Sequence, residues 1–128
     1  METQDVTKKM NTQDVANQWL EMCRQGQNLE CVEELYAENV VSKEMSGYPD
    51  EIVSGKQNVW DKSKAWLDNV VEFHGGDISD PVVAGNHFTS KMSFDVTFKD
   101  SGRQQMEEVC VFEVQDGKIA TEQFFYTI

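Results

Sequence analysis

The feature that most constrains this chain is a pair of strand-like runs on either side of an Asp116-Gly117 turn. Residues 105–114 form the first run and residues 118–128 the second. Asp-Gly between two β-prone runs is a strong hairpin signal, because glycine adopts a positive φ without strain. The helical patterns all lie upstream of this hairpin. Helices that precede an antiparallel sheet indicate an α+β layered fold, and this order suggests a sheet that curls around a pocket.

Two amphipathic helices are predicted near the start of the chain. Asn11 or Thr12 can cap the first helix, and Gly26 ends it. Asn28 can cap a shorter second helix, in which Glu30 lies near the positive end of the helix dipole. The apolar residues of both helices recur at steps of three and four, as one buried face requires. They are Val15, Trp19, Leu20, Met22 and Cys23 in the first helix, and Leu29, Val32, Leu35 and Tyr36 in the second.

A third helix is predicted after a short strand over residues 40–45. Ser54 and Gln57 have the spacing of a capping box at its start. Its stripe comprises Val59, Trp60, Ser63, Trp66, Leu67 and Val70. Residues 73–79 then predict an edge strand, since Pro81 is tolerated only at an edge or a strand end. Residues 87–98 alternate, with Phe88, Met92, Phe94, Val96 and Phe98 on one face, so only that face is expected to be buried.

Charge and cysteine content exclude several classes of function. The 11 basic and 23 acidic residues give a net charge of −12, which repels phosphate backbones and anionic lipids. Nucleic acid and membranes are therefore not expected as partners. Three cysteines without CxxC spacing are expected to be buried thiols in a reducing cytoplasm. We expect a disordered polar tail over residues 1–10 and a single domain over residues 11–128, without a signal or membrane-spanning segment.

The order of helices and strands resembles the nuclear transport factor 2-like superfamily, and within it the SnoaL-like proteins and ketosteroid isomerases. The resemblance spans roughly residues 11–128. It is carried by residues 34–41 (Glu-Leu-Tyr-Ala-Glu-Asn-Val-Val), by Gly55 and by residues 117–119 (Gly-Lys-Ile). The ending 122–126 (Glu-Gln-Phe-Phe-Tyr) is similar to that of bacterial SnoaL-like proteins of uncharacterised activity. The resemblance implies a cone-shaped fold of three N-terminal helices on a curved, mainly antiparallel sheet. It does not imply one activity, because this fold hosts enzymes and binders alike.

The resemblance makes Glu44 the candidate general base. Ketosteroid isomerases carry a carboxylate base eight residues beyond a pocket tyrosine, and Tyr36 and Glu44 have that spacing. Burial in an apolar cone would bring the pKa of such a carboxyl closer to neutral pH. The alternative is a solvated glutamate beside Lys43.

The same resemblance assigns the two oxyanion-hole positions of ketosteroid isomerases to Trp19 and Cys110. An indole N–H donates one hydrogen bond but cannot shuttle a proton, and a thiol is a weak donor. An enolate would therefore be poorly stabilised, since one lost donor typically costs a factor of about 10² to 10³. Ketosteroid isomerase activity is not expected.

The face of the last strand is open to two interpretations. A two-residue turn pairs Val114 with Ile119, which puts Gln123 and Phe125 on the face of Cys110. The family pattern instead turns Glu122, Phe124 and Tyr126 inward, and a slip of one residue exchanges the two faces. We favour the family pattern. Glu44, Glu108 and Glu122 could then share a pocket, where like charges raise at least one pKa. Alternatively, Glu108 and Glu122 lie at its rim.

Two functions are compatible with these residues. The first is a binder of a small apolar or amphipathic ligand, and the second is an isomerase or cyclase that uses Glu44 on a hydrophobic carbonyl substrate. The expected pocket residues are Trp60, Phe94, Met106, Glu108, Phe112, Glu122, Phe124 and Tyr126, with Trp19, Tyr36 and Cys110 as further pocket positions. No metal site or cofactor is expected, because the histidines and cysteines are not clustered. Val109, Val111 and Phe125 on the outer sheet face suggest a homodimer.

Overall fold

A computed structural model describes residues 10–127, which form three helices and seven strands. The helices are α1 (Thr12–Arg24), α2 (Asn28–Leu35) and α3 (Lys56–Asn69). The strands are β1 (Tyr36–Lys43), β2 (Ile52–Ser54), β3 (Val70–Ile78), β4 (Val82–Ala84), β5 (His87–Phe98), β6 (Gly102–Gln115) and β7 (Lys118–Phe125). The predicted tail lies outside the described residues except for Met10, which packs against the core. No helix in the described part of the chain is both long and apolar enough to span a membrane.

Local capping explains where α1 begins and ends. Of the two predicted caps, Asn11 is the one that forms: its side chain accepts from the backbone N–H of Asp14 at 2.8 Å. The Asp14 carboxylate accepts in return from the Asn11 N–H at 3.2 Å. This reciprocal pair is a capping box, which satisfies two N–H groups that the helix leaves free. Gly26, at φ +75°, then turns the chain out of α1, as predicted.

The capping box predicted for α3 is wrong. Ser54 is the last residue of β2, where it pairs with Val41 of β1, so it lies too early to cap the helix. The N-cap is Gly55, whose φ of +94° turns the chain sharply from β2 into α3. The side chain of Asn58 donates to the Ser54 carbonyl at 3.0 Å and fixes this corner.

The strands form one mainly antiparallel sheet in the order β2-β1-β7-β6-β5-β3, and β4 also pairs with β5. Only the β1–β7 pair is parallel among the described strands. The strand predicted over residues 40–45 in fact begins at Tyr36 and ends at Lys43, so Glu44 follows it. β3 is an edge strand, as predicted. Its pairing with β5 shifts register twice, and each irregularity increases the local bend of the sheet.

The core lies between the helices and the inner face of the sheet. Trp19 of α1 is 2% exposed, and its ring lies 5.5 Å from that of Phe88 and 4.9 Å from that of Phe112. Phe88 and Phe112 face each other across β5 and β6, with their rings stacked at 4.6 Å. These rings fill the closed end of the cone. The predicted alternation of β5 is confirmed, because Phe88, Met92, Val96 and Phe98 are all buried.

A β-bulge in β7 reconciles the two interpretations of the last strand. Next to the turn, Val114 pairs with Ile119, as the two-residue loop predicts. The register then shifts by one residue, so that Glu113 pairs with Thr121 and Ala120 is the extra residue. Beyond this bulge Glu122 and Phe124 point to the inner face, as the family pattern predicts. The inner face therefore carries the rows Phe88–Phe112–Glu122, Ser90–Cys110–Phe124 and Met92–Glu108.

Candidate functional site

Glu122 lies at the closed end of the cone, where its carboxylate is 5% exposed. The hydroxyl of Tyr36 donates to one of its oxygens, and the hydroxyl of Ser42 donates to the other at 2.7 Å. Both donors stand on β1, which the parallel pairing places beside β7. Burial raises the pKa of Glu122, while the bonds from Ser42 and Tyr36 oppose that rise. Tyr36, Ser42 and Glu122 are called the Glu122 network below.

Lys62 of α3 connects this network to Glu44. Its ammonium donates to Ser42 Oγ at 2.9 Å and forms an ion pair with Glu44 Oε2 at 2.7 Å. The hydroxyl of Tyr126 donates to the other oxygen of Glu44 at 2.6 Å. Both side chains of the ion pair are mostly buried, with exposed fractions of 20% for Lys62 and 18% for Glu44. Glu44 does point inward, but both of its oxygens already accept hydrogen bonds from the protein.

Glu108 is partly buried on the inner face of β6 without a comparable set of partners. Among residues 10–127 its one polar contact is the thiol of Cys110, at 3.4 Å. The pKa of Glu108 is raised to about 7, mainly by burial. The nearby carboxylates of Glu44 and Glu122 contribute to this rise, whereas the Cys110 contact and the Lys62 ammonium oppose it. This carboxyl therefore changes its charge near neutral pH.

Aromatic rings surround these polar groups at the wide end of the cone. Trp66, one turn after Lys62 on α3, lies 5.6 Å from the ring of Phe94 and is 37% exposed. The ring of Phe124 lies 5.4 Å from the Lys62 ammonium, within the range of a cation–π interaction. We call this end of the cone the mouth and define it by Glu44, Lys62, Trp66, Phe94, Glu108 and Phe124.

The predicted site residues divide between the mouth, the closed end and the contact of α3 with α2. Those in or beside the mouth are Glu44, Phe94, Met106, Glu108, Phe124 and Tyr126. Those buried at the closed end are Trp19, Tyr36, Cys110, Phe112 and Glu122. Trp60 lies elsewhere, because its indole N–H donates to Glu33 of α2 at 3.1 Å. Aromatic rings fill the closed end, so the residues buried there do not line an open pocket.

Sequence reasoning missed Lys62 and Ser42. Lys62 lies three residues after Val59 and four before Trp66, so it lies on the apolar face of α3. A lysine on such a face normally extends its ammonium to solvent along its apolar stem. The position of Lys62 among apolar residues was nevertheless a signal that its side chain lies near the core. Ser42 had no comparable signal, because a serine in a short strand is common.

Two surface depressions of about 440 Å³ each lie away from the mouth. Both include Glu38 and Lys56. Lys56 donates to the carbonyl of Glu33 at 2.7 Å, and Lys118 donates to that of Glu34 at 2.6 Å. These lysines therefore satisfy carbonyls that the end of α2 leaves unpaired. Within residues 10–127, no cluster of three or more His, Cys, Asp or Glu side chains is arranged to hold a metal ion.

Comparison with known proteins identifies the family. The model of the SnoaL-like domain matches residues 10–126, which is nearly the whole chain. The chain therefore belongs to the SnoaL-like family. No curated protein matches it.

Solved structures agree with this assignment. A protein from Mesorhizobium loti, described as a candidate SnoaL-like polyketide cyclase, is 36% identical, with a TM-score of 0.86 over 91% of this chain and 100% of that one. An NTF2-like protein of unknown function from Burkholderia pseudomallei is 15% identical, with a TM-score of 0.73 over 92% of each chain. A protein with a ketosteroid isomerase-like fold from Catenulispora acidiphila is 14% identical, with a TM-score of 0.71 over 90% of this chain and 86% of that one. The last two establish the fold alone.

Proposed function

We propose that this SnoaL-like protein binds a small amphipathic ligand at the mouth, without a cofactor. The observation that carries the proposal is Glu108, a partly buried carboxyl with only a thiol as its polar partner among the described residues. Burial of an unpaired carboxyl is unfavourable unless a partner reaches it. The half-buried rings of Phe94 and Phe124 and the exposed ring of Trp66 supply apolar surface around it. Apolar walls with a few polar groups are typical of small-molecule sites.

Charge restricts the polar end of this ligand. The mouth contains two carboxyls, Glu44 and Glu108, against the single ammonium of Lys62, which is already paired with Glu44. An anionic ligand would meet net repulsion there, whereas a hydroxyl, amide or amine could donate to Glu108. We therefore propose a ligand with an apolar body and a neutral or cationic donor group.

Two fluorescent probes with the same aromatic body test this proposal. N-phenyl-1-naphthylamine is neutral and carries an N–H, whereas 8-anilinonaphthalene-1-sulfonate adds a sulfonate. We expect the neutral probe to bind at least about tenfold more tightly at pH 8, because Glu108 is then ionised. Glu108→Gln should narrow this preference, and Trp66→Ala should weaken both probes. Glu107→Gln is the matched control, because Glu107 is the exposed neighbour of Glu108 on β6. Failure of both probes to bind, or equal affinity for them, would contradict the proposal.

The proposal includes a homodimer formed through the outer face of the sheet. Val109 and Phe125 pair across β6 and β7 on that face and are 44% and 43% exposed. Val82 of β4 is 67% exposed. Exposed apolar residues grouped on one face favour a protein interface over solvent. Sedimentation analysis should give twice the chain mass for the wild type and a monomer for Phe125→Glu, and a wild-type monomer at micromolar concentration would refute the dimer.

We further propose that this protein acts in the bacterial cytoplasm. Cys23, Cys31 and Cys110 are all unpaired, as in a reducing compartment. The proposal predicts free thiols in protein purified from its native cells, measured by alkylation and mass spectrometry. Oxidised cysteines in that preparation would argue for another compartment.

Proton transfer is the second candidate function. A carboxyl whose pKa is about 7, as for Glu108, is suited to general acid–base catalysis at neutral pH. Glu44, the base expected from the resemblance, lies in the same mouth, but its two oxygens already contact the Lys62 ammonium and the Tyr126 hydroxyl. If the protein is an isomerase or cyclase, Glu108 is therefore the better placed of the two to exchange a proton, and Glu44 is the alternative.

Deuterium exchange separates these possibilities. The probe is 2-tetralone, a hydrophobic ketone with acidic α-hydrogens, followed by NMR in D₂O. Exchange that Glu108→Gln abolishes and Glu44→Gln reduces less assigns the base to Glu108. The reverse order assigns it to Glu44. Exchange no faster than in buffer, together with probe binding, supports the binding function alone.

A further inference from the structure

One chain of hydrogen bonds is not explained by ligand binding. It runs from the buried carboxylate of Glu122 through Ser42 Oγ (2.7 Å) to the ammonium of Lys62 (2.9 Å). Glu122 is 5% exposed and Ser42 is 0% exposed, so neither reaches a ligand at the mouth. Lys62 does belong to the mouth. The chain therefore connects the closed end of the cone to the binding site.

The donors and acceptors in this chain can be assigned. A lysine ammonium only donates, so Ser42 Oγ must be the acceptor in its contact with Lys62. The single hydrogen of the Ser42 hydroxyl then has Glu122 Oε2 as its acceptor. If Glu122 did not accept this hydrogen, the hydroxyl could rotate it toward the ammonium and repel it.

We infer that Glu122 is a positioning residue: by accepting the hydrogen of Ser42, it keeps the serine oxygen turned to Lys62 and so holds the ammonium against Glu44. Glu122 therefore decides which groups the mouth presents to a ligand. While Lys62 is held against Glu44, these two charges pair with each other. Glu108 is then the carboxyl of the mouth that can bind the ligand. This inference rests on the proposed function only in giving Lys62 a role toward a ligand.

Chemical labelling of Lys62 tests the inference without a ligand. Only a neutral amine reacts with an acylating reagent such as the N-hydroxysuccinimide ester of acetic acid, so a released lysine reacts faster. Mass spectrometry gives the labelling rate of Lys62 relative to that of Lys64. Lys64 lies on the same helix, is 45% exposed and pairs with Asp68, so it reports on unfolding or general changes in α3.

The variants separate positioning from simple stabilisation. Ser42→Ala removes the link, and Glu122→Leu removes the acceptor. Each should raise the Lys62-to-Lys64 labelling ratio about fivefold, the equivalent of one lost hydrogen bond. Glu122→Gln should stay within about twofold of the wild type, because the amide oxygen can still accept from Ser42. Glu107→Gln on the outer surface should leave the ratio unchanged.

Three outcomes would overturn the inference. An unchanged ratio in Ser42→Ala shows that Lys62 does not depend on the chain, even if Glu122→Leu fails to fold. An increase in Glu122→Gln as large as in Glu122→Leu shows that Glu122 acts through its charge rather than as an acceptor. Parallel increases at Lys62 and Lys64 show a merely structural effect. None of these results depends on probe binding, so the inference and the proposed function can fail separately.

Discussion

Glu122 and Glu108 lie on the same inner face of the sheet, and burial raises the pKa of both. Their partners differ. Glu122 accepts from two hydroxyls on β1, whereas Glu108 contacts only the thiol of Cys110 in the described part of the chain. A buried carboxyl surrounded by donors is part of the structure, and one without them is available for chemistry. The comparison therefore separates a structural end of the cone from the end at which we propose ligand binding.

The largest effect is expected from changing the register that the bulge sets. Insertion of one alanine after Thr121 would shift the rest of β7 by one residue along β6 and exchange its faces. Glu122 and Phe124 would then point outward, while Gln123 and Phe125 would point into the core. We expect loss of cooperative unfolding, measured by urea titration and circular dichroism. Cooperative unfolding close to that of the wild type would show that β7 absorbs the extra residue without exchanging its faces.

Replacing each of these two glutamates by alanine should lower the free energy of unfolding by different amounts. Glu122→Ala leaves the hydroxyls of Tyr36 and Ser42 without an acceptor and should lower the free energy of unfolding by about 3 kcal/mol. Glu108→Ala removes only a thiol contact and should cost less than about 1 kcal/mol. Urea unfolding at pH 5 measures both variants where most of the Glu108 carboxyl is protonated. Equal losses in the two variants would remove the distinction.

The pH dependence of stability sharpens the contrast at Glu108. The pKa of about 7 in the folded protein lies above the ordinary 4.5, so this group stabilises the fold fully below pH 4.5. That contribution is lost as the pH rises through 7. The free energy of unfolding of Glu108→Gln, relative to that of the wild type, should therefore be about 2 kcal/mol higher at pH 8 than at pH 4.5. Urea unfolding at both pH values measures the gain, with Glu107→Gln as the control. A difference between Glu108→Gln and the wild type that does not change with pH would contradict the burial of Glu108.

Local patterns predict the architecture of this chain better than its site. The periodic stripe of α1, the alternation of β5 and the Asp116-Gly117 turn are each repeated over several residues or tied to one backbone requirement. The direction of Glu122 is different, because it depends on a single extra residue. The residue type of Ala120 does not mark it as a bulge. The position of the bulge is determined by the residues beyond it, because their burial fixes the register of the rest of β7. The resemblance to the family was needed to predict that face.

The candidate site was predicted only in part for a related reason. Glu44 was the candidate general base, but the sequence did not indicate its ion pair with Lys62, which approaches from α3. The loop that carries Glu44 has no periodic pattern, and the place of Lys62 on the apolar face of α3 does not reveal its partner. Burial of Glu108 likewise follows from the curvature of the sheet, which no local pattern encodes.

The position of β7 in the sheet has a consequence for biosynthesis. β7 is the last of the described strands along the chain and lies between β1 and β6, so it joins the beginning of the sheet to the remainder. While a ribosome is still translating residues 118–125, β1 and β2 have no neighbour that links them to β6. The nascent polypeptide therefore holds an open sheet edge until residues 118–125 have left the ribosome, and a trigger-factor-like chaperone would meet it in that state.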